Sequence, residues 1–466
     1  VNHVTPDHHR ARREALARAV PGPVLLLGNG LRSRNLPLVK LPFRQDSTML
    51  YFTGCDRPYA AALLHAGECR VFLPDPEPDD PLWHGPVPSF DELRQALGVD
   101  AVAPRSGLWD AVRAVGPVAT LAVADEEIDR EAAAALGRPL RFARDHGDDA
   151  LVDAVIALRR AKGPEELAEL REAAAITARA FRAAMAATRA GSTEHALWVG
   201  FEAILALQGA VPGYGTILSQ SGEILHSDDH SAPLQDGRLL LLDGGGERRS
   251  GYGVDVTRTW PVSGRFTARQ RAAYDAVLAA QREAITRCVP GAPYREVHTA
   301  ACRVLARWLV DEGLLRGEVD ALVADGAHAV FFPHGVGHLL GLDVHDLEHF
   351  GDRPAYPPGV GRPDQFGTRF LRLNLPLEAG WVVTIEPGFY VVPPILADAG
   401  LRERFAGRVD FERARDWVGF GGIRLEDDVH VGPSGPEVLT AATPIDPGEV
   451  CAVVGAGPTM EQRLGR

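Results

Sequence analysis

Phe332-Pro333-His334-Gly335-Val336-Gly337-His338-Leu339-Leu340-Gly341-Leu342-Asp343-Val344-His345-Asp346 gathers three histidines and two aspartates into one glycine-punctuated segment. Histidine is the commonest protein metal ligand and titrates near neutral pH. His334 and His338 stand four apart, as ligand pairs do on helices. Pro333, Gly335 and Gly337 oppose a helix, however, and no HExxH pattern is present. The segment reads as a loop running into a short strand. Taken alone, it fits a structural cluster as well as a metal site; its flanks decide between them.

On each side lie two acids at strand ends. Asp243 closes the apolar run Leu239-Leu240-Leu241-Leu242. Asp255 follows across a turn, in Gly253-Val254-Asp255-Val256-Thr257-Arg258-Thr259. A hairpin brings these carboxylates together, where they repel unless a proton or cation lies between them. The plainer alternative makes Asp243-Gly244-Gly245-Gly246 simply a turn. Glu386 ends a second apolar run, Trp381-Val382-Val383-Thr384-Ile385, and Pro387-Gly388 follows. Glu426 lies in Gly421-Gly422-Ile423-Arg424-Leu425-Glu426-Asp427-Asp428. Period-two alternation puts Arg424, Glu426 and Asp428 on one face of a strand. Arg424 is then expected to hold the Glu426 carboxylate by a charge-assisted bond; the alternative is an exposed strand with a salt bridge. Four carboxylates and one or more imidazoles can hold two divalent cations about 3.5–4 Å apart. Oxygen-rich ligation with one histidine suits manganese, cobalt or zinc rather than a thiolate site.

A length of 466 residues exceeds one ordinary core, so two domains are expected. The net charge of −13 argues against nucleic-acid or anionic-membrane partners. Five scattered cysteines, Cys55, Cys69, Cys288, Cys302 and Cys451, have no CxxC spacing and fit reduced thiols in a cytoplasmic protein. Cys288 and Cys302 fall in apolar helical stretches and are expected only to pack. No apolar run approaches a membrane span, and Val1 to Arg18 has no apolar core of a signal peptide.

Along the chain, a helix is expected over His9 to Ala19. Strands are expected at Val24–Leu27, Leu50–Phe52, Ala60–Leu64, Arg70–Leu73 and Val118–Val123, with a loop over Pro74–Pro81. Helices at Phe90–Leu97 and Gly107–Val115 alternate with them, the pattern of an α/β domain over residues 1–160. Leu151–Arg159 reads as a helix, and Pro164 with the acids behind it opens the next. Residues 161–466 form the second expected domain. There helices at Glu165–Thr188 and Glu194–Leu207 precede strands at Thr216–Ser219, Leu239–Leu242 and Val254–Val262. The capping box Thr267-Ala268-Arg269-Gln270 opens a helix to Cys288, and Tyr294–Glu312 is another. Strands follow at Trp381–Ile385 and Gly422–Val431. Helices grouped ahead of hairpins, twice, imply an α+β domain with a hint of duplication.

The order of these motifs resembles the proline-specific metallopeptidases of the pita-bread (creatinase/aminopeptidase) fold: Xaa-Pro aminopeptidase (aminopeptidase P) and Xaa-Pro dipeptidase (prolidase). The resemblance covers nearly the whole chain. Pro42-Phe43-Arg44-Gln45-Asp46-Ser47 through Tyr51-Phe52-Thr53-Gly54 is similar to the aminopeptidase P N-terminal domain, as is Gly313-Leu314-Leu315-Arg316-Gly317-Glu318-Val319-Asp320 to the stretch before the histidines. The resemblance implies two divalent metals, manganese foremost and cobalt or zinc as alternatives. Asp243 matches the terminal ligand of one metal, Asp255 and Glu426 the bridging carboxylates, and His338 and Glu386 the ligands of the second. His226, in Ile224-Leu225-His226-Ser227, matches a catalytic histidine. His334 and His345 match substrate-side histidines, Arg424 an arginine beside the bridging glutamate, and Tyr390 the tyrosine after the Glu-Pro-Gly motif.

Two departures from the family pattern stand out. The aspartates are twelve apart, one more than usual, which implies a longer or bulged turn. The stretch Phe411-Glu412-Arg413-Ala414-Arg415-Asp416-Trp417-Val418-Gly419-Phe420 is more like prolidase. The expected reaction is cleavage between an N-terminal residue and a following proline. Glu386 would act as general base then acid, His226 would stabilise the oxyanion, and His334 and His345 would position the prolyl side. The alternatives are a dipeptide-restricted prolidase and, on the same fold, a non-catalytic binding protein. A creatinase-like hydrolase is disfavoured by the complete ligand set, a methionine aminopeptidase by the large N-terminal domain. The resemblance also implies a homo-oligomer, a dimer or tetramer, with the N-terminal domain serving assembly and substrate access. Trp83 is expected to pack within its own domain, with an anchor reaching a neighbouring subunit as the alternative.

Overall fold

The computed structural model describes residues 2–463. The chain forms two compact units: Val1–Arg160 with Leu347–Pro354, and Ala161–Asp346 with Ala355–Arg466. The first unit is built on a five-stranded sheet. Across it run the strands Ala101–Pro104, Glu68–Leu73, Ala61–His65, Val24–Leu27 and Ala119–Thr120, in that order. The inner pairs are antiparallel and the two outer pairs parallel. Leu25, Leu27, Ala61, Leu63 and Phe72 meet Leu108, Val112, Ile128 and Ala132 from the helices Leu108–Val115 and Glu126–Leu136 in one core. The segment Leu347–Pro354 joins this unit through stacking of His349 on Phe142, with centroids 5.2 Å apart, and through Arg353, which pairs with Asp149 and Asp153.

Three expectations for this unit fail. Leu50–Phe52 is not a strand but part of a helix, Ser47–Thr53. The Asp46 carboxylate accepts from the amides of Thr48 and Met49 at 2.9 Å each, and Gly54 closes the helix at φ +65°. That cap outweighs the strand preference of the aromatic pair. Every residue of the helix is buried, so no amphipathic period marks it. Trp83 does not pack: it lies on a short helix, Asp80–His84, and is 73% exposed beside exposed Leu82. The strand expected over Val118–Val123 shrinks to Ala119–Thr120.

In the second unit a helix pair precedes a three-stranded antiparallel sheet, twice. Helices Pro164–Ala187 and Glu194–Leu207 precede a sheet whose central strand, Leu239–Asp243, lies between Thr257–Pro261 and Ile217–Ser219. Helices Ala268–Thr286 and Tyr294–Asp311 precede a sheet whose central strand, Asp427–Gly432, lies between Val382–Ile385 and Gly435–Val438. The expected capping box forms: Thr267 Oγ1 accepts from the Gln270 amide, and Gln270 Oε1 accepts from the Thr267 amide. Between Glu386 and Glu426 the chain makes the short helices Pro393–Ala397, Ala399–Arg404 and Phe411–Arg415.

The strand expected over Gly422–Val431 is interrupted. Gly422–Arg424 pairs with Gly388–Tyr390, while Asp427–Gly432 pairs with Val382–Ile385. Leu425 and Glu426 are the switch between the two ladders, so simple alternation does not carry from Arg424 to Asp428. The hairpin between the two aspartates is also irregular. Gly244 N donates to Val256 O at 3.0 Å, and Val254 N to Gly246 O at 3.3 Å. At Gly245 the backbone lies so close that an added Cβ would stand 1.6 Å from Val254 O. The glycine run is thus a close approach of two backbones as well as a turn. Gly245→Ala is expected to cost about 3 kcal/mol or more of unfolding free energy, read as a lowered urea midpoint.

Candidate metal centre

Asp243 is the last residue of a central strand and faces Thr257 across the ladder. Asp255 lies just before that partner strand. Both are buried, and the hydroxyl of Tyr214 lies 2.6 Å from Asp243 Oδ1 and 2.5 Å from Asp255 Oδ1. One phenolic proton serves two carboxylates. Tyr214 was missed in the sequence because it sits in a short Gly-Tyr-Gly loop with no periodicity to mark it. The Asp255 amide donates to Asp428 Oδ2 at 3.1 Å, which ties this acid to the second sheet's central strand.

His338 is pinned to the neighbouring strand end. Its amide donates to Thr384 Oγ1 at 3.1 Å, the Thr384 amide donates to His338 O at 2.9 Å, and the Glu386 amide donates to Val336 O at 2.8 Å. Gly337, at φ +155°, allows this: a Cβ there would lie 2.0 Å from Thr384 O. Nδ1 of His338 donates to the Leu339 carbonyl at 3.0 Å. That tautomer leaves Nε2 without a proton, 3.4 Å from Asp255 Oδ2.

Glu426 accepts at Oε2 from Thr257 Oγ1, 2.6 Å away, and its amide donates to Thr257 O. Arg424 does not hold Glu426 directly, contrary to the strand-face expectation. Its guanidinium donates to Asp243 Oδ2 at 2.5 Å, to Thr257 Oγ1 at 3.0 Å and to the Tyr390 hydroxyl at 3.2 Å. Thr257 therefore relays Arg424 to Glu426, because the break at Leu425–Glu426 turns the two side chains off one face.

Three donor groups share members. Asp243, Asp255 and Glu426 bring one oxygen each within 4.8 Å of one another; so do His338, Glu386 and Glu426, and so do Asp255, His338 and His345. Glu426 belongs to the first two groups. His345 is exposed and packs edge-on against His338, centroids 4.7 Å apart. His334 reaches Tyr390 Oη through Nε2 at 2.8 Å, with Glu386 Oε2 3.7 Å from Nδ1. His226 is exposed on the loop before the Leu239–Asp243 strand and enters none of these groups.

The electrostatics are those of crowded acids. Burial, and then Asp255 and Asp243, push the Glu386 carboxyl up to about 8 against the pull of Arg424 and Arg372. Burial and its three acidic neighbours raise Glu426 well above the usual carboxylate range. Burial also raises Asp243, which the Arg424 guanidinium opposes. Burial and Arg424 lower His334 to about 3, so it is neutral at pH 7. Four buried or half-buried carboxylates therefore face one directly bonded guanidinium. Hard oxygen donors around a shared glutamate, with one unprotonated imidazole nitrogen, fit a pair of divalent cations.

The model of metallopeptidase family M24 matches residues 168–433, and that of the aminopeptidase P N-terminal domain matches residues 9–118. The chain is 31% identical to the Xaa-Pro aminopeptidase of Escherichia coli K12, over 98% of this chain and 99% of that one. It is 32% identical to the human Xaa-Pro dipeptidase, over 85% and 82%. A solved aminopeptidase structure from Pseudomonas aeruginosa superposes with a TM-score of 0.81 at 30% identity, covering 98% and 99% of the two chains.

A proton or a cation must offset the crowding, and this sets a pH dependence. The Glu386 carboxyl binds its proton up to about pH 8 in the metal-free fold, against an ordinary 4.5. The native state thus holds more protons than the unfolded chain between these values, so its stability falls as pH rises through that window. Chelator-treated protein is expected to lose thermal stability from pH 5.5 to 8.5 relative to manganese- or zinc-loaded protein. Parallel melting curves for the two forms would contradict this.

Proposed function

The chain belongs to metallopeptidase family M24, and from that premise we propose that it is a dinuclear aminopeptidase that hydrolyses the bond between an N-terminal residue and a following proline. Two supports carry the reading. One is full-length similarity to proteins named Xaa-Pro aminopeptidase. The other is the hard donor set that shares Glu426. In this reading Asp243 would hold one cation and His338 and Glu386 the other, with Asp255 and Glu426 common to both. Manganese is the proposed metal, with cobalt and zinc as alternatives. When bound, the cations supply an acidified water and polarise the scissile carbonyl.

The chain's own groups do the rest. Glu386 would take the proton of the attacking water and deliver it to the departing prolyl nitrogen. Arg424 holds Asp243 in place and, through Thr257, orients Glu426. His226 donates to the developing oxyanion. Neutral His334, backed by Tyr390, and exposed His345 hold the prolyl side. A tertiary amide brings no N–H to satisfy, so an apolar prolyl pocket costs nothing in lost hydrogen bonds. Exposed Leu82 and Trp83 support assembly into a homo-oligomer, and five free cysteines support a reducing, cytoplasmic setting.

Dipeptide-restricted cleavage is the second reading, favoured by the similarity to a human Xaa-Pro dipeptidase and by the short helices between Glu386 and Glu426. Ala-Pro and Ala-Pro-Ala assayed with metal-stripped protein plus manganese, cobalt or zinc separate the two. Faster turnover of the tripeptide is expected; turnover of the dipeptide alone would make it a prolidase, and none of either would sink both. Glu386→Gln is expected to lower kcat by about 10²–10⁴-fold with the far-ultraviolet circular dichroism unchanged.

A further inference from the structure

A second donor cluster lies in the second unit, away from the five acidic and imidazole ligands. His298 and Cys302 stand one turn apart on the helix Tyr294–Asp311, and His328 comes from the short 3-10 turn Ala327–Val330. One donor atom from each lies within 4.8 Å of the other two. All three residues are buried, with exposures of 1% for each histidine and 0% for the cysteine.

Hydrogen bonding leaves this cluster incomplete. Nε2 of His298 is 3.0 Å from the Gly367 carbonyl and 3.4 Å from Cys302 Sγ, so one tautomer serves only one of them. Nδ1 of His298 has no partner, and neither ring nitrogen of His328 has one. The Leu322 carbonyl influences His328 from outside hydrogen-bonding geometry. Leaving such nitrogens without a partner in a core forfeits their hydration with nothing in return. Burial keeps both imidazoles neutral at pH 7, with lone pairs available.

We propose that Cys302 Sγ and one ring nitrogen each of His298 and His328 bind a single thiophilic transition-metal cation, zinc or copper(I). A thiolate with two imidazoles selects these over the harder cations suited to the carboxylate centre. Binding forms the metal–sulfur and metal–nitrogen bonds and releases the Cys302 thiol proton to solvent; no electron is transferred. The cation would staple the helix to the turn that leads into Phe332 and His334. His298 packs on Phe332 and Phe332 on His334, with centroids 5.7 and 4.8 Å apart. Cys302 then does more than pack.

Cobalt is the probe, since the carboxylate centre holds no sulfur. Full-length protein produced in cobalt-supplemented minimal medium is expected to show a near-ultraviolet thiolate-to-cobalt charge-transfer band. Cys302→Ser and the near-isosteric His328→Gln should abolish it. His338→Ala, aimed at the other centre, should leave it, so the two readings fail separately. Elemental analysis after zinc or copper supplementation should give one equivalent more for the wild type than for Cys302→Ser, and identifies which cation binds. No band in the wild type, a band that persists in Cys302→Ser, or equal metal content in both overturns the proposal. If Cys302→Ser misfolds by circular dichroism, His328→Gln decides.

Discussion

Repulsion among buried carboxylates is the constraint around which the second unit is built. Asp243, Asp255, Glu386 and Glu426 converge from four separate strand ends, and the Arg424 guanidinium bonds directly to Asp243. Left alone, such a cluster would open or take up protons. The fold resists opening because every acid is anchored through its backbone to a neighbouring element. Asp243 is held by its ladder, Asp255 by Asp428, Glu386 by Val336 O and Glu426 by Thr257 O. What remains is demand for positive charge at a fixed place. Metal affinity is thus a property of the strand framework as much as of the four side chains.

The two three-stranded sheets explain why the candidate ligands alternate along the chain. Each sheet supplies a central strand that runs to the cluster, and each is preceded by a helix pair that covers it. Thr257 is the joint between the halves. It sits opposite Asp243, donates to Glu426 and accepts from Arg424. A residue that is neither acidic nor basic thereby links an acid of one sheet to an acid of the other.

Much of this was legible in the sequence, and the misses have physical causes. Long helices with capping signals, such as the one opened by Thr267 and Gln270, stand where their pattern puts them. Apolar strands ending in an acid are legible for the same reason: burial on both faces leaves a continuous run. Leu50–Phe52 was misread because a helix buried all round has no period. The Arg424 contact was misread because alternation assumes an unbroken strand, whereas Leu425 and Glu426 change ladders. Tyr214 and Thr257 were invisible as site residues, since their roles depend on contacts distant in sequence. The grouping of His298 and Cys302 with His328 is of the same kind.

The return of Leu347–Pro354 to the first unit bears on modularity. A module that is continuous in sequence can be excised, fused or exchanged by a single crossover. Here the segment that begins two residues after His345 finishes the first unit with a ring on Phe142 and a guanidinium on Asp149 and Asp153. Cutting the chain at Arg160 would strip those partners from a strip of polypeptide tethered directly to His345. The two units are therefore spliced together by the chain itself, and recombination between relatives must carry both segments of the first unit together.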